Sequence, residues 1–429
     1  VEVVRPLFEI FRPQYAEGPF RQGDNPYGTK NTSSLQFLAF GDWRTAVAFN
    51  DNGGNEVGQI ATRLNLDLDL KLTGTERIHA FVRPLDKGGN FTRHEFAGGD
   101  REGGGELELD GNIETLFFEG DVGAIYSGLA GEYASFDLPI AFGLTPYIFQ
   151  NGVWVEDAFT GGAFTIAAKN SRALNISNMD FTFFSGFDKV TSPAAANADG
   201  RLNDNDLNIF GLAAFFDANE GYWEAGFGHV TGRDELDDID YQSFTVAFTS
   251  RYGGWLSNSL RFVSTFGQDR ANDVQQTADG QILLIENSLI TSKPSTLVPY
   301  FNFWVGLDRP QPLADDSGLL KNTGINFETD GLTGFPKLDD TGHDTFGGAI
   351  GVSYIFNLDQ QLVVEAASVR TIGDDFEPGR AAVADQVAFS IRYQRPFAPG
   401  WIVRTDAMVG VLEEKDDLAG VRLEIRRKF

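Results

Sequence analysis

Residues 60–73 read IATRLNLDLDLKLT and carry the clearest structural pattern in the chain. Leucine occupies every second position from Leu64 to Leu72, and the positions between them hold Arg63, Asn65, Asp67, Asp69 and Lys71. Successive side chains of a β-strand point to opposite faces, so this alternation predicts a strand with one apolar and one polar face. Such a strand suits a soluble sandwich, or a membrane barrel whose leucines face lipid and whose charged residues face the lumen.

The last strand of the chain, residues 419–429, has the same two-faced pattern and ends on an aromatic residue. Its apolar positions are Val421, Leu423, Ile425 and Phe429, and its polar positions are Arg422, Glu424, Arg426 and Lys428. A terminal aromatic in such a strand resembles the C-terminal signature of bacterial outer-membrane proteins, which the barrel assembly machinery reads. The resemblance implies that this strand ends at the periplasmic face.

The connections between the alternating segments favour the barrel over the sandwich. Counted back from Phe429, eight short turns such as 127–133 alternate with nine generally longer segments, among them 86–112, 144–160 and 307–345. Bacterial outer-membrane barrels have short periplasmic turns and long extracellular loops. The sequence therefore predicts an all-β fold, a single antiparallel transmembrane barrel of about eighteen strands, with sixteen as the alternative.

The composition is compatible with this fold but would not identify it. The 429 residues are 42% hydrophobic, and 49 Gly and 38 Phe fit many short strands and tight turns. No apolar run approaches the 18 residues of a transmembrane helix. The absence of cysteine excludes disulfides and thiolate metal sites. A first residue that is Val rather than Met suggests a mature chain whose signal peptide has been removed.

The formal net charge of −27 makes nucleic acid an unsuitable partner. We expect the acidity on outer loops, where divalent cations would link it to outer-membrane lipid and lipopolysaccharide. Calcium is the only cofactor the sequence suggests, on loop carboxylates, since oxygen ligands suit that ion. Ordinary solvated loop charge, with no cofactor, is the default interpretation, because no EF-hand pattern is present. The candidate ligands are Asp204, Asp206, Asp234, Asp237 and Asp238.

Catalytic signatures are missing from the sequence. It contains no GxxxxGK phosphate loop, no HExxH helix and no GxSxG elbow, and its four histidines are scattered without ligand spacing. The sequence therefore predicts a protein that is not an enzyme.

The polar faces of the predicted strands carry more basic than acidic residues, although the whole chain is acidic. Rings of arginine lower the electrostatic barrier for anions, so an Arg-lined wall predicts a preference for anionic solutes. The alternative is that arginine–carboxylate ladders simply brace the wall. The candidate pore-lining residues are Arg44, Arg63, Asp67, Asp69, Lys71, Arg251, Arg261, Arg392, Arg404, Asp406, Arg422, Glu424 and Arg426.

Two segments fall outside the regular pattern. Residues 1–33 precede the barrel of residues 34–429, and their Pro, Gly and aromatic content fits either a disordered periplasmic lead-in or a small plug in the lumen. The longest loop, 307–345, is long enough to fold inward as a constriction or lid.

The terminal strand ending RRKF, the alternating strands and the loop pattern together resemble the large single-chain porins of Gram-negative bacteria. The eighteen-strand count with inward arginines resembles the alginate-export and OprD-like channels. This resemblance is one of architecture over residues 34–429. It implies an outer-membrane channel for diffusion of small hydrophilic solutes, including anions. Two variants stay open: an exporter of an acidic polysaccharide, and a plugged barrel that serves as a surface scaffold or anchors a partner.

Overall fold

The computed structural model describes residues 4–11, 28, 30–99, 102–195, 206–270, 275–373 and 379–429. Nearly all of its regular structure is antiparallel sheet. The strands are β1 Phe8–Ile10, β2 Ser33–Asn52, β3 Glu56–Thr73, β4 Arg77–Val82, β5 Asp86–Lys87, β6 Asn90–Gly98, β7 Gly105–Glu106, β8 Ile113–Asp121, β9 Pro139–Phe149, β10 Val155–Ser171, β11 Ile176–Asp188, β12 Leu207–Ala218, β13 Gly221–Gly232, β14 Tyr241–Tyr252, β15 Leu256–Phe266, β16 Asp279–Leu289, β17 Leu297–Arg309, β18 Thr345–Phe356, β19 Gln360–Thr371, β20 Gln386–Ala398, β21 Trp401–Leu412 and β22 Leu418–Lys428.

The sheet closes on itself and forms a barrel of eighteen wall strands. Sequential neighbours pair around the ring, and β22 pairs with β2 from Lys428 opposite Asp42 to Leu418 opposite Asn52. Two wall strands are built from two segments each. β4 and then β6 run along β3, while β7 and then β8 form the next strand. The predicted count of eighteen is confirmed.

Two predicted loops are largely strand, so those boundaries were wrong. Segment 86–112 contains β6 and β7, and only 83–89 leaves the wall between β4 and β6. Segment 144–160 belongs mostly to β9 and β10, which are joined by residues 150–154. The alternation fails there because the inward residues Tyr147 and Phe159 are themselves apolar and buried.

Along most strands an exposed apolar face alternates with a buried polar one. In β20, Phe389 is 49% exposed whereas its neighbour Ser390 is 4% exposed. Around the end of the barrel that carries the short turns, which we name the turn end, Tyr252, Trp255 and Phe397 are exposed. Such an outward apolar band with aromatic residues at its edge is the pattern of a lipid-facing barrel surface.

One connection at the turn end is longer than predicted for 127–133. It contains the helix α1, Val122–Ala130. Asp121 caps the N-terminus of this helix by accepting a 2.8 Å hydrogen bond from the Ala124 amide. Gly131 ends the helix in the left-handed conformation at φ 72°. Among the described residues, no helix is long and apolar enough to span a bilayer.

The described part of the N-terminal segment lies along the wall. β1 pairs with residues 37–39 of β2, on the edge of β2 that β22 leaves free where it ends near Gly41. Residues 12–27 lie outside the described residues, so a plug formed by 1–33 stays a prediction.

Candidate solute pathway

The loop of residues 310–344, between β17 and β18, lies inside the barrel. Its Thr323 carbonyl accepts a 2.6 Å hydrogen bond from Asn302 of β17, and its Thr333 carbonyl accepts a 2.7 Å bond from Gln59 of β3. These strands are far apart around the ring, so the loop crosses the lumen. The inward folding predicted for 307–345 is confirmed, and residues 307–309 and 345 themselves belong to the wall strands. We name residues 310–344 the inner loop.

A single carboxylate of the wall, Glu365 on β19, holds the middle of the inner loop. It is 1% exposed and accepts hydrogen bonds from the backbone amides of Ile325 and Asn326, each 2.9 Å, and from the Asn326 side chain at 2.8 Å. Tyr300 of β17 donates a fourth bond to it. Every oxygen of Glu365 is thereby engaged in fixing the loop, which is a positioning role that the sequence pattern did not reveal.

Three of the predicted pore-lining arginines meet around one aspartate. Asp406 accepts contacts from Arg392 at 2.6 Å, Arg404 at 2.9 Å and Arg422 at 2.9 Å. The inner loop adds two carboxylates to this group. Glu328 lies 2.5 Å from Arg392 and 3.2 Å from Arg404, and Asp330 lies 2.5 Å from Arg422. Three guanidinium groups therefore face three carboxylates, and the cluster is close to electrically neutral.

The neighbouring strands carry further pairs of the same kind. Arg44 makes a bidentate contact with Glu424, with its closer nitrogen 2.7 Å away, and Arg426 pairs with Asp42. Arg63 is different: it lies over the Phe91 ring at 5.6 Å, and no described carboxylate is within salt-bridge distance. Most of the predicted arginine excess is thus balanced within the wall.

On the opposite side of the lumen, Arg261 is 1% exposed and holds another loop in place. It donates a 2.8 Å hydrogen bond to Gln150, in the connection between β9 and β10. Glu286 lies 3.4 Å away and Glu224 lies 4.0 Å away. Arg261 is therefore part of the wall's bracing and is closed to solutes.

The remaining candidates do not join these clusters. Asp67 and Asp69 lie nearer the turn end, beside His79 at 3.6 Å and Arg77 at 3.9 Å. Lys71 and Arg251 lie near the same end, and Arg251 is exposed.

The calcium site suggested by the sequence stays a prediction. Asp238 pairs with Arg270 at 2.8 Å, and Asp204 lies outside the described residues. Asp206, Asp234 and Asp237 lie on the connections before β12 and after β13. No group of three or more acidic or histidine side chains with metal-binding geometry occurs in the described part of the chain.

One side of the lumen is filled by an apolar core. Trp154 is fully buried there and donates a 3.0 Å hydrogen bond to Ser243, while Leu313 of the inner loop packs against Gly228. Phe159 stacks on Tyr147 with ring centroids 4.4 Å apart. This core occupies part of the cross-section along β9–β14.

Two polar cavities lie beside this core among the described residues, and Lys321 of the inner loop lines both. A cavity of about 460 Å³ lies toward the long loops, beside Glu114, Glu156 and Asp316. A second cavity of about 540 Å³ lies toward the turn end, beneath the inner loop. The two cavities therefore meet at the Lys321 side chain, which we name the narrow point.

Two neighbouring carboxylates pair with the positive charge of Lys321. Its ammonium lies 2.9 Å from Glu156 and 2.5 Å from Asp315. Burial lowers the pKa of Lys321, but the attraction of these carboxylates outweighs it and raises the pKa above its usual value. The narrow point therefore carries a paired positive charge.

Sequence reasoning missed Lys321, Glu328, Asp330 and Glu365. The first three lie on the inner loop, where no periodicity assigns a direction to a side chain. Glu365 lies on a regular strand and faces inward, so its alternation could have revealed it.

Solved structures of bacterial porins share this fold. OccAB4 of Acinetobacter baumannii superimposes with a TM-score of 0.60 at 12% identity, over 94% of this chain and 100% of that chain. A BenF-like porin of Pseudomonas fluorescens gives 0.58 at 13%, over 92% and 98%. OpdK of Pseudomonas aeruginosa, solved with vanillate, gives 0.56 at 12%, over 91% and 98%. No family model and no curated protein matches the sequence. At these identities the likeness shows the fold, which is the OprD-like architecture expected from the sequence.

Proposed function

We propose that this protein is a channel of the Gram-negative outer membrane through which small hydrophilic solutes diffuse passively. The observation that carries the proposal is the pair of polar cavities that meet at Lys321, one toward the long loops and one beneath the inner loop, inside a closed barrel. Size would be selected where the inner loop narrows the path, and no cofactor is required. The porin fold of the structural neighbours supports this reading.

The charges in the path argue for a weak preference between anions and cations. Arg392, Arg404 and Arg422 are each paired with carboxylates of the wall and of the inner loop. A paired guanidinium has little field left for a passing ion, because the carboxylate beside it cancels its charge at a distance. Arg63 is the described cation of this wall region that lacks such a partner, and we assign it the remaining attraction for anions.

Conductance of the purified protein in planar bilayers tests the channel. We expect discrete open steps in potassium chloride and a small reversal potential in a salt gradient. Truncation of the narrow point by Lys321→Ala should raise the single-channel conductance. Lys337→Ala is the matched control, because Lys337 lies on the same loop, pairs with Asp340 at 2.7 Å and lines neither cavity.

An absence of current in bilayers with the wild type and with Lys321→Ala, until residues 1–33 are deleted, would contradict an open channel. That result would favour the plugged scaffold instead. Conductance steps blocked by an acidic polysaccharide, and not by small solutes, would favour the exporter.

A further inference from the structure

We propose that the cavity beneath the inner loop is a binding site for a neutral, polyhydroxylated solute of sugar size. This inference rests on the proposed channel function, because the solute reaches the cavity through the pore. It concerns the cavity of about 540 Å³ toward the turn end, a volume typical of small-molecule sites.

The lining of this cavity is dominated by uncharged hydrogen-bonding groups. Seven carboxamide side chains border it, beside hydroxyls of Ser, Thr and Tyr. Five of the seven lie on β15, β16, β17, β19 and β20, and we name them the amide ladder: Asn258, Asn287, Asn302, Gln361 and Gln394.

The amide ladder is held in place by its own hydrogen bonds. Asn258 donates to the Asn287 side chain at 2.9 Å, and the Asn287 backbone amide donates to Asn302 at 3.0 Å. Across the cavity, Gln394 donates to Gln361 at 2.7 Å, and Gln361 donates to Ser353 at 2.9 Å. Side chains fixed in this way keep their remaining donors and acceptors pointed in constant directions, which lowers the entropic cost of binding a solute.

A carboxamide matches a hydroxyl better than it matches an ion. It presents two N–H donors and an acceptor oxygen, and a hydroxyl both donates and accepts. Tyr222 adds an aromatic surface at the rim, 37% exposed and 5.4 Å from the ring of Phe215. A sugar combines a hydroxyl rim with apolar C–H faces, so it can use both kinds of contact.

The charged groups of the lining do not favour an ion. Glu328 is bound by Arg392 and Arg404, Glu286 lies beside Arg261, and Lys321 is shared by Glu156 and Asp315. A carboxylate solute would have to displace one of these internal carboxylates from its cation. A neutral solute meets no such competition.

Three probes with one carbon skeleton separate the possibilities: glucose is neutral, gluconate is anionic and glucosamine is cationic. Each is added to the wild-type channel in planar bilayers, and its binding is read from the interruptions of ionic current. We expect glucose to interrupt the current at lower concentration than gluconate or glucosamine.

The variant Gln361→Leu with Gln394→Leu removes two members of the amide ladder and should weaken glucose binding roughly tenfold, the effect of two modest hydrogen bonds. Gln360→Leu is the matched control and should bind glucose as wild type does. Gln360 precedes Gln361 on the same strand, accepts a 2.9 Å hydrogen bond from Tyr393 and does not line the cavity.

The two proposals fail in different ways. A barrel that folds but carries no current refutes the channel. A conducting channel that gluconate interrupts better than glucose, or in which the double variant and Gln360→Leu bind glucose equally, refutes the sugar site and leaves the channel standing.

Discussion

Removal of the Glu365 carboxylate should release the inner loop from the wall. In Glu365→Ala, the amides of Ile325 and Asn326 and the Asn326 side chain lose their acceptor, which is itself 1% exposed. Each buried donor left unpaired costs about 1–3 kcal/mol, so with three such donors the docked loop should lose roughly 3–9 kcal/mol. Since 1.4 kcal/mol changes an equilibrium tenfold, the undocked loop should become at least about a hundred times more populated.

Single-channel recording measures this release directly. We expect Glu365→Ala to show larger or more variable conductance steps and more open-channel noise, because the loop then samples several positions. Glu365→Gln keeps one side-chain acceptor of nearly the same shape, so its effect should be clearly smaller. Glu413→Ala removes an exposed carboxylate at the loop end and should leave the steps unchanged.

Folding must be checked in the same preparations, by the mobility of the unheated barrel in gels and by its melting temperature. A folded Glu365→Ala channel with wild-type conductance and noise would refute the view that this carboxylate anchors the loop. An effect of Glu365→Gln as large as that of Glu365→Ala would show that charge rather than the acceptor geometry matters.

Three further predictions concern the inner loop and the apolar core beside it. Burial lowers the pKa of His343 to about 4 from its usual 6.5. Between these two pH values the unfolded chain therefore binds more protons than the folded protein. The free energy of unfolding should fall by up to about 3 kcal/mol as the pH drops through this window. Melting temperatures from pH 7 to pH 4 should fall less steeply in His343→Gln. The pair Asn326→Cys and Ser390→Cys, whose native side chains lie 2.5 Å apart, should form a disulfide that makes conductance steps uniform; conductance that reduction does not change would argue against contact. Trp154→Ala should cost about 3–5 kcal/mol by emptying the lumen core, measured by chemical denaturation, whereas a loss under 1 kcal/mol would mean that the core adjusts around the missing ring.

The lipid-facing half of the fold could be predicted from the sequence because the bilayer imposes one requirement on every strand. Leu64, Leu66 and Leu68 must alternate with polar residues when one face meets hydrocarbon and the other meets water. The alternation, counted back from Phe429, led to eighteen strands, and the structure has eighteen. The prediction failed at β9 and β10, where the inward residues Tyr147 and Phe159 pack in an apolar core and the period of two disappears.

The candidate site was predicted only in part. The alternation placed Arg392, Arg404 and Arg422 on inward faces, and they do lie there. The alternation could not predict their partners, since Glu328 and Asp330 lie on a loop without a regular period. An arginine excess read strand by strand therefore suggested an anion-attracting wall, whereas the folded loop brings carboxylates against it.

The two-residue period first seen in residues 60–73, together with the short and long connections counted back from Phe429, predicted the barrel, its strand number and the face that meets lipid. Those features follow from patterns that are local to each strand and its neighbouring loops. The path through the barrel was decided only by the tertiary structure. The inner loop contacts β2, β3, β17 and β19–β22 at once, and the positions of Lys321 and Glu365 depend on contacts between residues far apart in the chain. No local pattern encodes such contacts, so both the narrow point and the neutral amide ladder beneath it became visible only in the folded molecule.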